Sequence, residues 1–377
     1  MSRKKWQPKN VVEALWLIQL LSWLFSLGII HYPIDHSRIG LSIFYTISTV
    51  SAHFILLIHT ILMVLNKPGY DSRAKKVLER TSRIDNILEE LNVPLDYRSI
   101  YIKSLQIITL WIIIFLTTNM TNLFWLHDEV DLLENIITIC VLLHTLHGNA
   151  VVAVQVCIWI ELMECRFKKV NQILLNILDT RKNGHHEWPE VPMIMTEINN
   201  PRRFPSISQN HAIDTMRITK QIHLELCCIC NEISRIFGIQ IATGLASSFI
   251  IVTGLTFTLY IIMVNSSKDY SDKISAAVII ILWLMGNYLK IFHINKISAK
   301  TVTEWKKTGE IIHELEIACK DNEYRDDIRQ FSLQILQNPL SFNACGLVTL
   351  GYSLVHGFVG SVTTYVIILV QMYNTPE

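Results

Sequence analysis

Residues 347–373 read LVTLGYSLVHGFVGSVTTYVIILVQMY and contain no Asp, Glu, Lys or Arg. As a helix rising about 1.5 Å per residue, the stretch is about 40 Å long, enough for a bilayer core and its interface. Small and polar residues recur inside it. Ser353, Gly357, Ser361 and Thr364 fall at i, i+4, i+8 and i+11, on one helical face. That face has two readings: close packing against a neighbouring helix through small residues, or a surface that meets water in a pore.

Outward from this stretch the chain keeps the same character. Half of its 377 residues are hydrophobic and 17% are charged, and several runs exceed the roughly 18 apolar residues that mark a membrane helix. The net charge of +1 gives no basis for nucleic-acid binding. Seven spans are expected, at about 12–32, 40–65, 104–126, 135–161, 236–264, 274–293 and 347–373. The first follows the basic MSRKKWQPK, but it exceeds 20 residues and has no small-residue cleavage site, so it reads as a retained span. Of 33 Lys and Arg, 30 fall on one side of these spans. That side is cytoplasmic by the positive-inside rule, which places the N-terminus inside and the C-terminus outside. The sequons at Asn119 and Asn265 both fall on the outer side, and all eight cysteines fall in spans or on the inner side.

The inner segments carry helical stripes of their own. Met163, Phe167, Val170, Leu174 and Ile177 form one; Ile218, Ile222, Leu226, Ile229 and Ile233 form a second; Val302, Trp305, Gly309, Ile312, Leu315 and Cys319 form a third. Each predicts a helix that continues past the membrane and must bury one face. An intramolecular bundle and a subunit interface both answer that need. Residues 181–210, with four prolines, read as a flexible linker. The 66–100 segment holds a short helix with Ile84, Ile87, Leu88 and Leu91 on one side, ended before Pro94.

No catalytic motif is present: no phosphate-binding loop, no His-Glu-x-x-His and no nucleophile elbow. Cys227 and Cys230 are spaced as half of a zinc site, but no second pair completes it, so no metal and no cofactor is expected. Within the spans, Glu13 and Glu161 sit at inner ends, and no carboxylate, Lys or Arg is expected deeper, which disfavours a proton-coupled transporter or a voltage sensor. The outer halves mix aromatic and polar residues: Tyr45 and Thr49, Asn119, Asn122 and Trp125, Thr138, Tyr260, and Trp283. A pocket for a small organic ligand needs that mix; an interfacial aromatic belt would show it too.

The end of the chain carries a resemblance. Thr364 and Tyr365, five apolar residues (Val366 to Val370), then Gln371 and Met372 resemble the C-terminal signature of insect gustatory receptors, in which Phe stands where Met372 does here. FSLQILQNPLSFNACGLVTL (Phe331–Leu350) is similar to that family's approach to its last helix. The resemblance implies an all-α, seven-transmembrane receptor of the plasma membrane whose cytoplasmic helical extensions form an anchor bundle. It implies a tastant-gated, non-selective cation channel, a tetramer of this chain alone or with other gustatory receptor subunits, set in membrane lipid. The last helix would line the pore, with Thr364, Tyr365, Ile368, Gln371 and Met372 at the gate, and Val302, Trp305, Ile312 and Leu315 would meet a neighbouring subunit. Sugar-responsive members often carry Glu after the Tyr; Val366 stands there, which favours a bitter-type or other non-sugar ligand. The related odorant receptors and the G-protein-coupled receptors are the alternatives. Asn338-Pro339-Leu340-Ser341-Phe342 mimics a motif of the latter, but it precedes the last span, and their N-terminus lies outside.

Overall fold

The computed structural model describes residues 67–126, 144–183, 207–264, 270–319 and 322–374, together with Phe54 and Ile55. The described chain is almost wholly helical: α1 (Lys67–Glu90), α2 (Tyr97–Leu126), α3 (His144–Asn183), α4 (Ile207–Val264), α5 (Tyr270–Ala318), α6 (Asn322–Gln337) and α7 (Tyr352–Asn374). Between α6 and α7 lies a two-stranded hairpin, β1 (Asn343–Ala344) and β2 (Val348–Thr349). Among the described residues four helices, α2, α4, α5 and α7, are long and apolar enough to cross a membrane. The expected span 12–32, all of 40–65 except Phe54 and Ile55, the start of span 135–161 and most of the 181–210 linker lie outside the described residues.

The three inner stripes explain the lengths of α3, α4 and α5, which run 40, 58 and 49 residues. A helix needs only about 20 residues to span a bilayer, so the rest of each one continues beyond it. There the stripes meet. Phe167, Val170 and Leu174 of α3, Leu226 and Ile229 of α4, and Ile312 and Leu315 of α5 are buried in one hydrophobic core. α6 closes this core with Tyr324, Ile328, Phe331 and Ile335, spaced i, i+4, i+7 and i+11. α1 adds Val77, Ile84 and Leu88, and two residues after its end the left-handed φ of 57° at Asn92 turns the chain toward Pro94.

Polar contacts fix how these helices dock. Arg166 of α3 donates to Asp85 of α1 at 2.8 and 2.6 Å and to the Leu162 carbonyl at 2.7 Å, while the Tyr97 hydroxyl donates to Asp85 at 2.9 Å. Arg80 of α1 donates to Glu225 of α4 at 2.8 Å, and this bond raises the Arg80 pKa above its ordinary value. Asn171 of α3 donates to the Glu304 carbonyl of α5 at 3.0 Å and accepts from the Thr308 hydroxyl at 2.7 Å.

The structure starts the last helix at Tyr352 rather than Leu347. Cys345 and Gly346 both take positive φ, 54° and 71°, and the Leu347 N–H donates to the Ala344 carbonyl at 3.0 Å. These two residues form a tight left-handed turn, which glycine favours, within a three-residue loop between Ala344 and Val348, and it ends any helix running through 343–349. The hairpin lies against α4, where a Cβ on Gly238 would come within 3.1 Å of the Cys345 nitrogen. Only glycine permits so close an approach without a shift. The Gly351 N–H then donates to Asn295 Oδ1 of α5 at 2.7 Å, immediately before α7 begins.

Candidate functional site

α7 buries one face and leaves the other open. Phe358, Val362, Leu369 and Tyr373 are buried, and their spacing of 4, 7 and 4 residues keeps them on one side of the helix. Phe358 and Val362 pack with Val252 of α4 and Ile291 of α5; Leu369 and Tyr373 pack with Phe257 of α4. Edge-on ring pairs reinforce this seam, Phe249 with Phe358 at 5.8 Å and Phe257 with Tyr373 at 6.1 Å. The opposite side carries Ser353, Gly357, Gly360, Thr364, Ile368 and Gln371, all exposed.

The five residues expected at the gate therefore do not stand alike. Thr364, Ile368 and Gln371 lie on the open side, and Met372 is exposed at its edge. Tyr365 is half-exposed but sets its ring against Phe249 of α4 at 5.6 Å. The adjacent Leu369 belongs to the packing seam.

A half-open cleft of about 320 Å³ lies between α2, α3 and α5. Trp111 and Phe115 of α2, Ala153 of α3 and Trp283 of α5 form aromatic and small walls, with Thr118 and Asn287 as polar points. Of the eight expected ligand residues, Trp283 lines this cleft. Asn119 points elsewhere and donates to the Phe115 carbonyl of its own helix at 2.7 Å. Tyr260 faces the last helix, where its hydroxyl accepts from Asn374 at 3.0 Å and its ring meets Tyr373 at 6.2 Å. α2 carries Asn122 and Trp125 in its last turns; Tyr45, Thr49 and Thr138 lie outside the described residues.

Lys290, counted with the inner segment and expected at the end of its span, lines the cleft as well. The signal was present: Trp283, Asn287 and Lys290 stand at i, i+4 and i+7, one face of α5. Reading the lysine as the end of the span hid it. Trp111, Phe115 and Thr118 have the same spacing on α2 and were equally legible.

The stripe Val302, Trp305, Ile312 and Leu315 is taken up inside one chain. Ile312 and Leu315 are fully buried, with Val302 and Trp305 packed against the same core. Ile312 and Leu315 thus belong to the intramolecular bundle, while Val302 and Trp305 stay partly exposed at its edge. Leu315→Asp should therefore lower the melting temperature of the single chain, by the equivalent of about 3 kcal/mol or more, because it buries an unpaired charge. Unchanged melting of dissociated chains with loss of oligomers would return the stripe to an interface. Cys227 and Cys230 are buried in the same core as free thiols.

The comparisons with known proteins agree with this architecture. A family model described as 7tm chemosensory receptor matches residues 14–373. Gustatory receptor 28a of Drosophila melanogaster is 24% identical over 326 residues, covering 80% of this chain and 71% of that protein. The gustatory receptor for bitter taste 66a of the same fly is 28% identical over 155 residues, covering 40% of this chain and 29% of that one. The solved insect olfactory receptor OR5 of Machilis hrabei superposes with a TM-score of 0.55 at 13% identity, covering 98% of this chain and 93% of that one; a second structure of that receptor is in complex with eugenol. With a family match across nearly its whole length, the chain belongs to the 7tm chemosensory receptors, among the insect gustatory receptors.

Proposed function

We propose that this receptor is a tastant-gated, weakly selective cation channel of the plasma membrane, assembled as a tetramer with α7 of each subunit lining one central pore. The observation that carries this reading is the two-sidedness of α7: one face seated on α4 and α5, the other bearing Ser353, Gly357, Thr364 and Gln371 outward. Four such faces around an axis would give a channel wall of hydroxyls, backbone and amides, with a ring of Gln371 at its outer end. A neutral ring offers dipoles to a partly hydrated ion but no fixed charge, so it discriminates weakly among cations. The N-terminus is cytoplasmic and the C-terminus outside, by the distribution of Lys and Arg.

The ligand is a bitter-type, non-sugar compound. The residues between Tyr365 and Gln371 are all apolar, a relative named for bitter taste is 28% identical over 40% of this chain against 22% over 38% for one named for sugar taste, and among the described residues the cleft at Trp111 and Trp283 is lined by aromatic carbon and by no carboxylate. Binding must favour the open arrangement over the closed one, because a ligand shifts an equilibrium only by its differential affinity. Calcium imaging of cells expressing the chain, challenged with plant bitter compounds and with sugars, tests this. A rise with one or more bitter compounds is expected. Responses to sugars alone would overturn the ligand class. Silence to every compound, with the chain at the surface both alone and beside other gustatory receptor subunits, would overturn the channel itself.

A further inference from the structure

The cleft between α2, α3 and α5 is polarised along its length. One end holds Thr118 and Trp283, the other Lys290, His293 and Lys296. Its lining on α5 runs from Leu282 to Lys296, about 21 Å of helix, so it is a slot roughly parallel to the membrane normal. Between the ends its wall is apolar, with Ile107, Leu110 and Ile114 of α2 facing Leu289 and Phe292 of α5.

The basic end is not neutralised from within the described residues. Lys290 is half-buried there, with no carboxylate partner among them. His293 Nε2 is buried with no hydrogen-bond partner among them. Lys296 lies 5.7 Å over the Phe292 ring. The carboxylate that bears on this end is Glu161, itself paired with Lys103 at 3.3 Å, and Lys300 adds a further positive charge. By the charge-derived orientation this end faces the cytoplasm, whose leaflet holds the anionic lipids.

We propose that the slot holds an anionic phospholipid of the cytoplasmic leaflet, one acyl chain along the apolar wall and the headgroup at Lys290, His293 and Lys296. Apolar walls alone would take any acyl chain; the lysines select the charged headgroup, as basic pockets between membrane helices do. The lipid would occupy the three-helix junction as a structural ligand, with the tastant admitted at the Trp283 end. This inference stands on the orientation of the chain and does not depend on channel activity.

The test uses the purified full chain in detergent and native mass spectrometry. Phosphatidylserine, phosphatidylcholine with the same acyl chains, and oleate are offered in turn. Phosphatidylserine should be retained about 25-fold over phosphatidylcholine. K290Q/K296Q should bring the two lipids near parity, since each basic side chain at an anionic surface contributes about fivefold. K306Q/K307Q, which removes two exposed charges further along α5, should leave the preference intact. Equal retention of the two lipids by the wild type, or an undiminished preference in K290Q/K296Q, would overturn the proposal. Oleate retained in preference to phosphatidylserine would overturn the phospholipid assignment. Should K290Q/K296Q fail to fold, the wild-type comparison of the two phospholipids decides alone.

Discussion

Met372→Ala should raise the current carried without ligand about tenfold, the effect of lowering a barrier by about 1.4 kcal/mol. In the proposed tetramer Met372 closes the outer end of α7, one residue past Gln371, and it is exposed at the edge of the helix's open side. Four thioether chains would form an apolar constriction that holds ions back by excluding water. Alanine removes that constriction. Met is flexible and slimmer than the Phe found here in similar receptors, so Met372→Phe should lower the leak instead. Gln371→Glu should raise calcium permeability by turning a ring of amides into a ring of charges. Whole-cell recording with surface expression held equal checks all three. Leak and selectivity unchanged in every variant would place these residues against lipid or a neighbouring helix, and the pore assignment would fall.

Asp85→Ala should destabilise the folded chain by about 3–5 kcal/mol, the usual consequence of removing one partner of a buried ion pair. Both side chains of the Arg166–Asp85 pair are at most 9% exposed. Once the carboxylate is gone, Arg166 keeps its bond to the Leu162 carbonyl but is left charged, buried and without a counter-ion. The Tyr97 hydroxyl loses its acceptor at the same time. The pair is the polar tie between α1 and α3, so the loss should appear as a lower melting temperature in detergent and as proteolysis within 67–90. Lys182→Ala, which breaks the half-exposed pair with Glu314, should change the melting temperature little. Equal effects from the two substitutions would show that burial does not set the worth of these contacts.

The helices were legible because their apolar residues recur at 3.6-residue spacing and the burial follows them. Every residue of the Met163–Ile177 stripe is buried, as are Ile222 to Ile233 in the second. Which surface a stripe meets was not legible. The sequence of α5 shows that Ile312 and Leu315 must be covered, not that α3, α4 and α6 of the same chain cover them. The hairpin at 343–349 was missed because its signal is two backbone angles, and an apolar run that includes Leu347 and Val348 reads as helix. The gate stripe was half legible. Spacing placed Thr364, Ile368 and Gln371 together, but only packing against Phe257 shows that Leu369, one residue away, turns inward. The cleft needed three helices brought side by side, and no single stretch announces that.

The bond from Gly351 N–H to Asn295 Oδ1 has a mechanical consequence. It pins the first residue before α7 to α5, and Phe358 and Val362 seat the next two turns on α4 and α5 together. Farther out, among the described residues, Leu369 and Tyr373 pack on Phe257 of α4. A rod fastened firmly at one end and lightly at the other swings about the firm end. From Gly351 to Gln371 is about 30 Å of chain as helix, so a tilt of about ten degrees at the fulcrum carries the amide ring sideways by about 5 Å, close to one helical pitch. In the proposed channel, a small rotation of α5, the helix that walls the cleft and holds the fulcrum, would thereby be geared up to the stroke that an ion-sized aperture requires.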